Sequence, residues 1–460
     1  MKSLDALQDR FGLNTVFELN IRISDGADPH GTLITAIRKT GAKISDLNIS
    51  EVEEESGDLF YSITLFTSGD DQMAVVRKAA ESVDGVTVEE VLDVAMESHR
   101  GGSCEMVSRG PIESNTELRL VYTPGVARVC KAIEAKPELA RDFTGIYNKV
   151  AIVTNGTAIL GLGDIGCVPG MPVMEGKSAI FWEFAGVSAE PILIDTKDPD
   201  EFIRVCELIA PTFGAIQVED VAAPECFRIT RELDAKLPIP VFHDDQYGTA
   251  TIVLAGLYSA LKLTGKKIEN MKTAISGAGA AGTAISDLLL KAGVPDVILC
   301  DSVGIIYEGR TERMNPEKES LASWTNKEKI QGSLADAMKG AELFIGCSMP
   351  NIVSQDMVRS MAKDPILFPL ANPVSEISKP DALAAGAAIY VDGRMMNNAL
   401  AYPGIFRGAL DSKAASITIE MMQAAAHALA DAVPTGKLMP EMMDPATHQA
   451  VAAAVANAAK

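Results

Sequence analysis

The chain has 460 residues, 47% hydrophobic and 22% charged, which supplies two or three cores and excludes a long disordered composition. A formal charge of -21 argues against nucleic acid and anionic membranes as partners, so any attraction for an anionic substrate must be local. No uncharged apolar run approaches the roughly 18 residues of a membrane span. "MKSLDALQDRFG" lacks a secretory apolar region, and the seven scattered cysteines form no C-x-x-C pair, so a cytoplasmic protein with reduced thiols is expected.

Residues 15 to 97 read as a small separate module. "TVFELNIRIS" alternates as a strand, and "PHGTLITAIRKTG" has helical spacing ended by Gly41. "KISDLNISEVEEE" and "DLFYSITLFTS" flank the turn at Ser56-Gly57-Asp58; "DDQMAVVRKAAESV" is helical and "VTVEEVLDVAM" is a last strand. The resulting βαββαβ order is ferredoxin-like, and "ESHRGGSCE" reads as a linker. With "DPHGTL" between the first strand and helix, the module resembles an ACT domain. That resemblance implies a small effector, often an amino acid, bound at paired domains; a purely structural or dimerisation module is the alternative.

From residue 105 onward the chain is α/β. "KVAIVTNG", "SAEPILIDT" and "GAIQVED" are strands separated by helices at "DEFIRVCELIAPTFG" and "ECFRITRELDAKL", as a parallel sheet requires. After a helix at "TATIVLAGLYSALKLTG", "MKTAISGAGAAGTAISDLLLKAG" is a strand, a glycine-rich turn and a helix. "AELFIGCS", "PILFPLANP" and "AAIYVDG" supply further strands of a doubly wound sheet, and "ITIEMMQAAAHALADAV" is a late helix. The expected domains are 1–97, 98–245 and 246–398, with 399–460 returning to the second.

Gly277, Gly279 and Gly282 fit G-x-G-x-x-G, with Ala278, Ala280 and Ala281 between them, in a strand-turn-helix setting. The first glycine permits the tight turn, the second lets backbone approach a pyrophosphate, and the third allows close helix packing. Asp301 ends the next strand and suits the ribose hydroxyls. Ser302-Val303-Gly304 offer no cation for a 2′-phosphate, although Arg310 and Arg313 follow nearby, so NAD is favoured and NADP remains possible.

Two apolar strands each end in paired acids: Glu219-Asp220 and Asp244-Asp245. Ligands of parallel α/β sheets collect at the carboxyl ends of strands. Oxygen-only donors select Mg²⁺ or Mn²⁺ over Zn²⁺. Helix capping is the alternative use of each pair, and His243 beside them is read as structural.

"LVYTPGVA", "TNGTAILGLGDIG", "MEGKSAIFWEFAGV", "VED", "FHDDQYGTA", "SGAGAAG", "LANP" and "NNALAYPG" occur in one order that resembles the malic enzymes, in their short bacterial form. The resemblance implies oxidative decarboxylation of (S)-malate to pyruvate and CO₂ with NAD(P) as oxidant. It implies Tyr122 as general acid, Lys177 as general base, and Glu219, Asp220 and Asp245 as metal ligands. It further implies Asp244 as the residue that orients Lys177, and Asn372 and Asn398 as contacts to substrate and nicotinamide. Two departures stand out: Ala158 where longer members carry an arginine for malate, and Tyr247 where histidine or isoleucine is common. Alternatives are a malolactic conversion that retains NAD and releases lactate, or a non-catalytic ACT/Rossmann sensor. A homodimer or higher homo-oligomer is expected.

Overall fold

The computed structural model describes residues 15–24, 29–53, 56–159 and 161–459. The chain forms two compact units divided between Glu105 and Met106. In the first, β1 (Thr15–Ile23), α1 (His30–Lys39), β2 (Lys43–Val52), β3 (Leu59–Thr67), α2 (Asp70–Glu81) and β4 (Val86–Asp93) follow the βαββαβ order. The strands make one antiparallel sheet, β2-β3-β1-β4. Alternation chooses the buried face: Phe17, Leu19, Ile21 and Ile23 of β1 share a core with Leu33 and Ile37 of α1 and Met73, Val76 and Ala80 of α2. The last strand is shorter than its alternation suggests. The Asp93 carboxylate accepts from the backbone N–H groups of Ala95 and Met96, and this cap starts a short helix, α3 (Val94–Ser98).

The second unit opens with α4 (Asn115–Val121) and α5 (Val126–Ala135), which leave Leu118, Leu120, Val121 and Tyr122 exposed. Its first sheet is four-stranded and parallel, in the order β6-β5-β7-β8. The strands are β5 (Lys149–Thr154), β6 (Ser188–Leu193), β7 (Ala215–Val218) and β8 (Val241–His243). Pro191, which cannot donate to a ladder, sits in the edge strand β6. Helices α6 (Cys167–Ala185), α7 (Pro199–Ile209) and α8 (Glu225–Lys236) connect these strands.

After α9 (Thr249–Thr264), a second sheet follows in the order β11-β10-β9-β12-β13-β14, parallel except for the short edge strand β11 (Gly304–Ile305). Its central strands are β9 (Lys272–Ser276), β10 (Asp296–Asp301), β12 (Leu343–Gly346) and β13 (Ile366–Pro369), and β14 (Ile389–Tyr390) is the other edge; α10 (Ala280–Lys291) and α11 (Pro316–Trp324) complete this part of the chain. The order reverses between β9 and β12, which opens a crevice at their carboxyl ends. The chain closes with α12 (Tyr402–Ser412), α13 (Ile419–Asp431) and α14 (Pro445–Ala458). Phe181 of α6 meets Tyr402 and Phe406 of α12 edge-on, at centroid distances of 4.9 and 5.3 Å. No helix among the described residues is long and apolar enough to cross a membrane.

Candidate active site

β7 is buried along its whole length and ends directly in Glu219 and Asp220, both buried. Asp220 adopts a φ of 50°, a left-handed conformation tolerated by Asp, which turns the chain sharply at the strand end. The neighbouring strand β8 ends in Asp244 and Asp245, which begin a single π-helical turn, Asp244–Gly248. Because β7 and β8 are parallel neighbours, both acid pairs emerge at the same sheet edge. One carboxylate oxygen each from Glu219, Asp220 and Asp245 lie within 4.8 Å of one another. The backbone N–H of Asp220 donates to Asp245 Oδ2 at 2.9 Å, and Gln217 Nε2 donates to Glu219 Oε2 at 2.6 Å.

Lys177 faces these acids from α6. Its Nζ lies 2.6 Å from Asp244 Oδ2 and 2.9 Å from Glu219 Oε1, and 4.8 Å from the ring centroid of Tyr402. Burial works against the ammonium, but the charges of Asp244 and Glu219 outweigh it and hold the Lys177 pKa well above its usual value. Burial likewise raises the Glu219 carboxyl, with Lys177 opposing. His243 is fully buried, and burial lowers its pKa, so it stays neutral beside Asp245. Asn398 Nδ2 donates to Asp244 Oδ2 at 3.2 Å and to Thr249 Oγ1 at 3.0 Å.

Four carboxylates thus gather at two neighbouring strand ends, with one ammonium against two of them. Asp244 is fully buried, and its Oδ1 has no hydrogen-bond partner among the described residues. Such an excess of buried negative charge is costly unless a cation joins it. Hard oxygen donors from Glu219, Asp220 and Asp245 suit Mg²⁺ or Mn²⁺.

The glycine turn lies at the switch between β9 and β12. Gly277 has a φ of 116°, and a Cβ there would stand 2.6 Å from Cys347 O; a Cβ on Gly282 would stand 1.8 Å from Gly277 O. Gly279, by contrast, has open space, as close approach of a pyrophosphate needs. A cleft of about 770 Å³ runs along Gly277, Ala278 and Gly279 to Asp301, Ser302 and Lys318; Ala280 and Ala281 open α10 beside it. Burial works to raise the Asp301 carboxyl, but hydrogen bonds from Arg310 and Lys318 more than offset this and hold it well below the usual carboxylate range. Arg310 Nη1 donates to Asp301 Oδ1 at 2.9 Å, and Lys318 Nζ donates to Oδ2 at 2.6 Å. Arg313 instead donates to Ser302 Oγ at 3.1 Å.

The structure brings Lys177, Glu219, Asp220, Asp244, Asp245 and Asn398 together. Asn372, exposed beside the cis bond to Pro373, lies apart from that cluster's hydrogen bonds; its Nδ2 donates to Leu370 O at 3.3 Å. Tyr122 is 67% exposed at the end of α4, and no hydrogen bond joins it to the cluster among the described residues. Ala158 contributes a backbone N–H to Asp220 O at 3.0 Å and no cation. Tyr247 Oη donates to Asp287 Oδ2 at 3.1 Å. Sequence reasoning missed Lys318, Gln217 and Tyr402. The first is 17 residues beyond its partner Asp301 and carries no local signal. The second is legible only as a polar residue inside an apolar strand.

Residues 102–234 match the family model for the malic enzyme N-terminal domain, and 246–396 with 385–460 match that for the malic enzyme NAD binding domain. An NAD-dependent malic enzyme of Geobacillus stearothermophilus is 44% identical over 411 residues, covering 88% of this chain and 85% of that protein. A bifunctional malic/malolactic enzyme of Bacillus subtilis is 47% identical over 368 residues, covering 78% and 90%. The solved malic enzyme of Pyrococcus horikoshii is 43% identical, with a TM-score of 0.77 over 79% of this chain and 89% of that one. On this likeness, together with the acids, lysine and glycine turn described above, the chain belongs to the malic enzyme family.

Proposed function

We propose that this protein catalyses the oxidative decarboxylation of (S)-malate to pyruvate and CO₂ with reduction of NAD, using Lys177 as base and a divalent cation held by Glu219, Asp220 and Asp245. The observation that carries this reading is Lys177 Nζ in contact with both Asp244 and Glu219, beside acids close enough to share one ion.

The roles follow from what each group can do. Neutral Lys177 accepts the proton of the malate 2-hydroxyl. Asp244, itself held by Asn398, fixes the position of Nζ and stabilises the ammonium formed. A free lysine, with a pKa near 10.4, is a poor base at neutral pH; neutralising Glu219 removes one of the charges that keep it protonated. When bound, Mg²⁺ or Mn²⁺ supplies that neutralisation, acidifies the hydroxyl and polarises the C2 carbonyl for loss of CO₂. NAD supplies the two-electron acceptor, in the cleft beside Gly277–Gly279. Tyr122 returns a proton to C3 of the enol left by decarboxylation, and Asn372 contacts substrate and nicotinamide.

The exposure of Tyr122, with Leu118, Leu120 and Val121 also bare, supports a homodimer in which this stretch covers, and its tyrosine serves, a second copy. The βαββαβ unit is assigned as an ACT-like module for a small effector, with thermal shifts in a panel of amino acids as its test. A cytoplasmic setting fits the free cysteines. The second reading is a malolactic conversion, supported by the name of the bifunctional malic/malolactic enzyme of Bacillus subtilis. Malate turnover with Mn²⁺ and NAD, with products identified, separates the two: pyruvate with NADH supports the proposal, and lactate without net NADH replaces it.

A further inference from the structure

Glu376 is fully buried, yet it belongs to none of the groups assigned above. It follows the Asn372-Pro373 turn at the carboxyl end of β13, outside any helix. Its Oε1 accepts the backbone N–H of Ser348 at 3.0 Å, just beyond β12, and its Oε2 accepts the backbone N–H of Ala371 at 3.1 Å, just beyond β13. One carboxylate therefore clasps the ends of two adjacent parallel strands. The clasp extends to a third strand, because Ser348 Oγ lies 2.8 Å from Ser276 Oγ, the last residue of β9 before the glycine turn. Ser276, Ser348 and Met349 line the dinucleotide cleft, and Ala371 precedes Asn372.

The surrounding chain makes room for this carboxylate. A Cβ on Gly346, the last residue of β12, would stand 2.3 Å from Glu376 Cδ. A buried carboxylate is expensive to desolvate, and an apolar side chain could fill the same space. What the carboxylate adds is two acceptors on one rigid planar group, matched to two N–H groups that a strand end leaves without sheet partners. We infer that Glu376 is a positioning residue for the dinucleotide: it sets the spacing of the loops after β12 and β13 against the glycine turn, and so the shape of the cofactor cleft. The inference rests on the reading of that cleft as the NAD site.

Direct NADH binding, followed by cofactor fluorescence in the full-length protein, tests it alongside steady-state kinetics. Glu376→Gln keeps the volume but turns one acceptor into a donor facing an N–H. It should raise the NADH Kd and the KM for NAD about tenfold or more, with a smaller rise in the KM for malate through Asn372 on the same loop. Glu376→Ala with Gly346→Ala refills part of the space without the acceptors; it should regain part of the thermal midpoint lost by Glu376→Ala alone but none of the lost NADH affinity. Normal NADH affinity in Glu376→Gln, or its recovery in the doubly substituted protein, would overturn the inference and leave Glu376 a packing residue. Should Glu376→Gln not fold, the doubly substituted protein decides. Failure of the unaltered protein to bind NADH would instead remove the cofactor reading, and this inference with it.

Discussion

Lys177 Nζ lies 2.6 Å from Asp244 Oδ2, a fully buried carboxylate delivered by the strand next to the one that carries Glu219. The contact joins α6 to the β8 strand end across 67 residues of chain. It gives Lys177 a fixed position and a charge that stabilises its protonated form.

Replacing the base separates chemistry from binding. Lys177→Ala should cut malate-dependent kcat by about 10²- to 10⁴-fold, the usual worth of a positioned base, while NADH affinity measured by fluorescence is retained. Lys177→Arg should be as inactive, because a guanidinium does not give up its proton near neutral pH. Activity in the arginine variant would show that charge alone is what Lys177 provides.

Asp244 is one of the charges that hold Lys177, the proposed base, protonated. Its negative charge favours the ammonium, so Asp244→Asn should lower the Lys177 pKa and move the acid limb of the kcat/KM profile to lower pH, with a fall in maximal rate from lost positioning. A limb that moves to higher pH would contradict the assigned contact.

Metal binding should stabilise the fold. At free Mn²⁺ near 100 times Kd the gain is about 2.7 kcal/mol, readable as a raised thermal midpoint, and Asp220→Asn should remove most of it. The Glu219 carboxyl is raised by burial, so protons compete with the ion. Below that raised pKa, Mn²⁺ affinity should fall about tenfold per pH unit for one proton displaced. Calorimetric titration at several pH values checks both the sign and the slope.

Cofactor choice is expected to turn on Asp301 and the cations that hold it. Lys318 lines the cleft and is partly exposed, whereas Arg310 is buried. Lys318 is therefore one group available to a 2′-phosphate, with the exposed Arg313 beside Ser302 as the other. Lys318→Gln should lower kcat/KM for NADP by about tenfold, the scale of one charge-assisted contact, with little loss for NAD. Equal losses for both cofactors would assign Lys318 to holding Asp301 alone.

The acid pairs and the glycine turn were legible because each is a local pattern at a strand end, where chain direction alone fixes the position. The same locality explains what was not legible. Lys318 reaches Asp301 through the fold of a loop and α11; Glu376 reaches Ser348 across 28 residues; Tyr402 meets Lys177 only because α12 packs on α6. Alternation at "VTVEEVLDVAM" marked a strand but could not reveal the Asp93 cap that ends it. The motif around Tyr122 is a local pattern, but the exposed position of its side chain carries no chain-local signal. If Tyr122 serves a second copy, mixing Lys177→Ala and Tyr122→Phe proteins, each expected to be impaired alone, under subunit exchange should restore part of the activity, because one site in each mixed dimer keeps both groups. No recovery on mixing, with exchange verified, would place Tyr122 in its own subunit's site.

The most direct test counts products. With malate, NAD and Mn²⁺, pyruvate and NADH should form in equal amounts, and both should stop when the cation is chelated and resume when it is restored. Lactate without net NADH, or turnover that persists after complete chelation, would contradict the proposed metal-assisted chemistry of Lys177 and the paired acids.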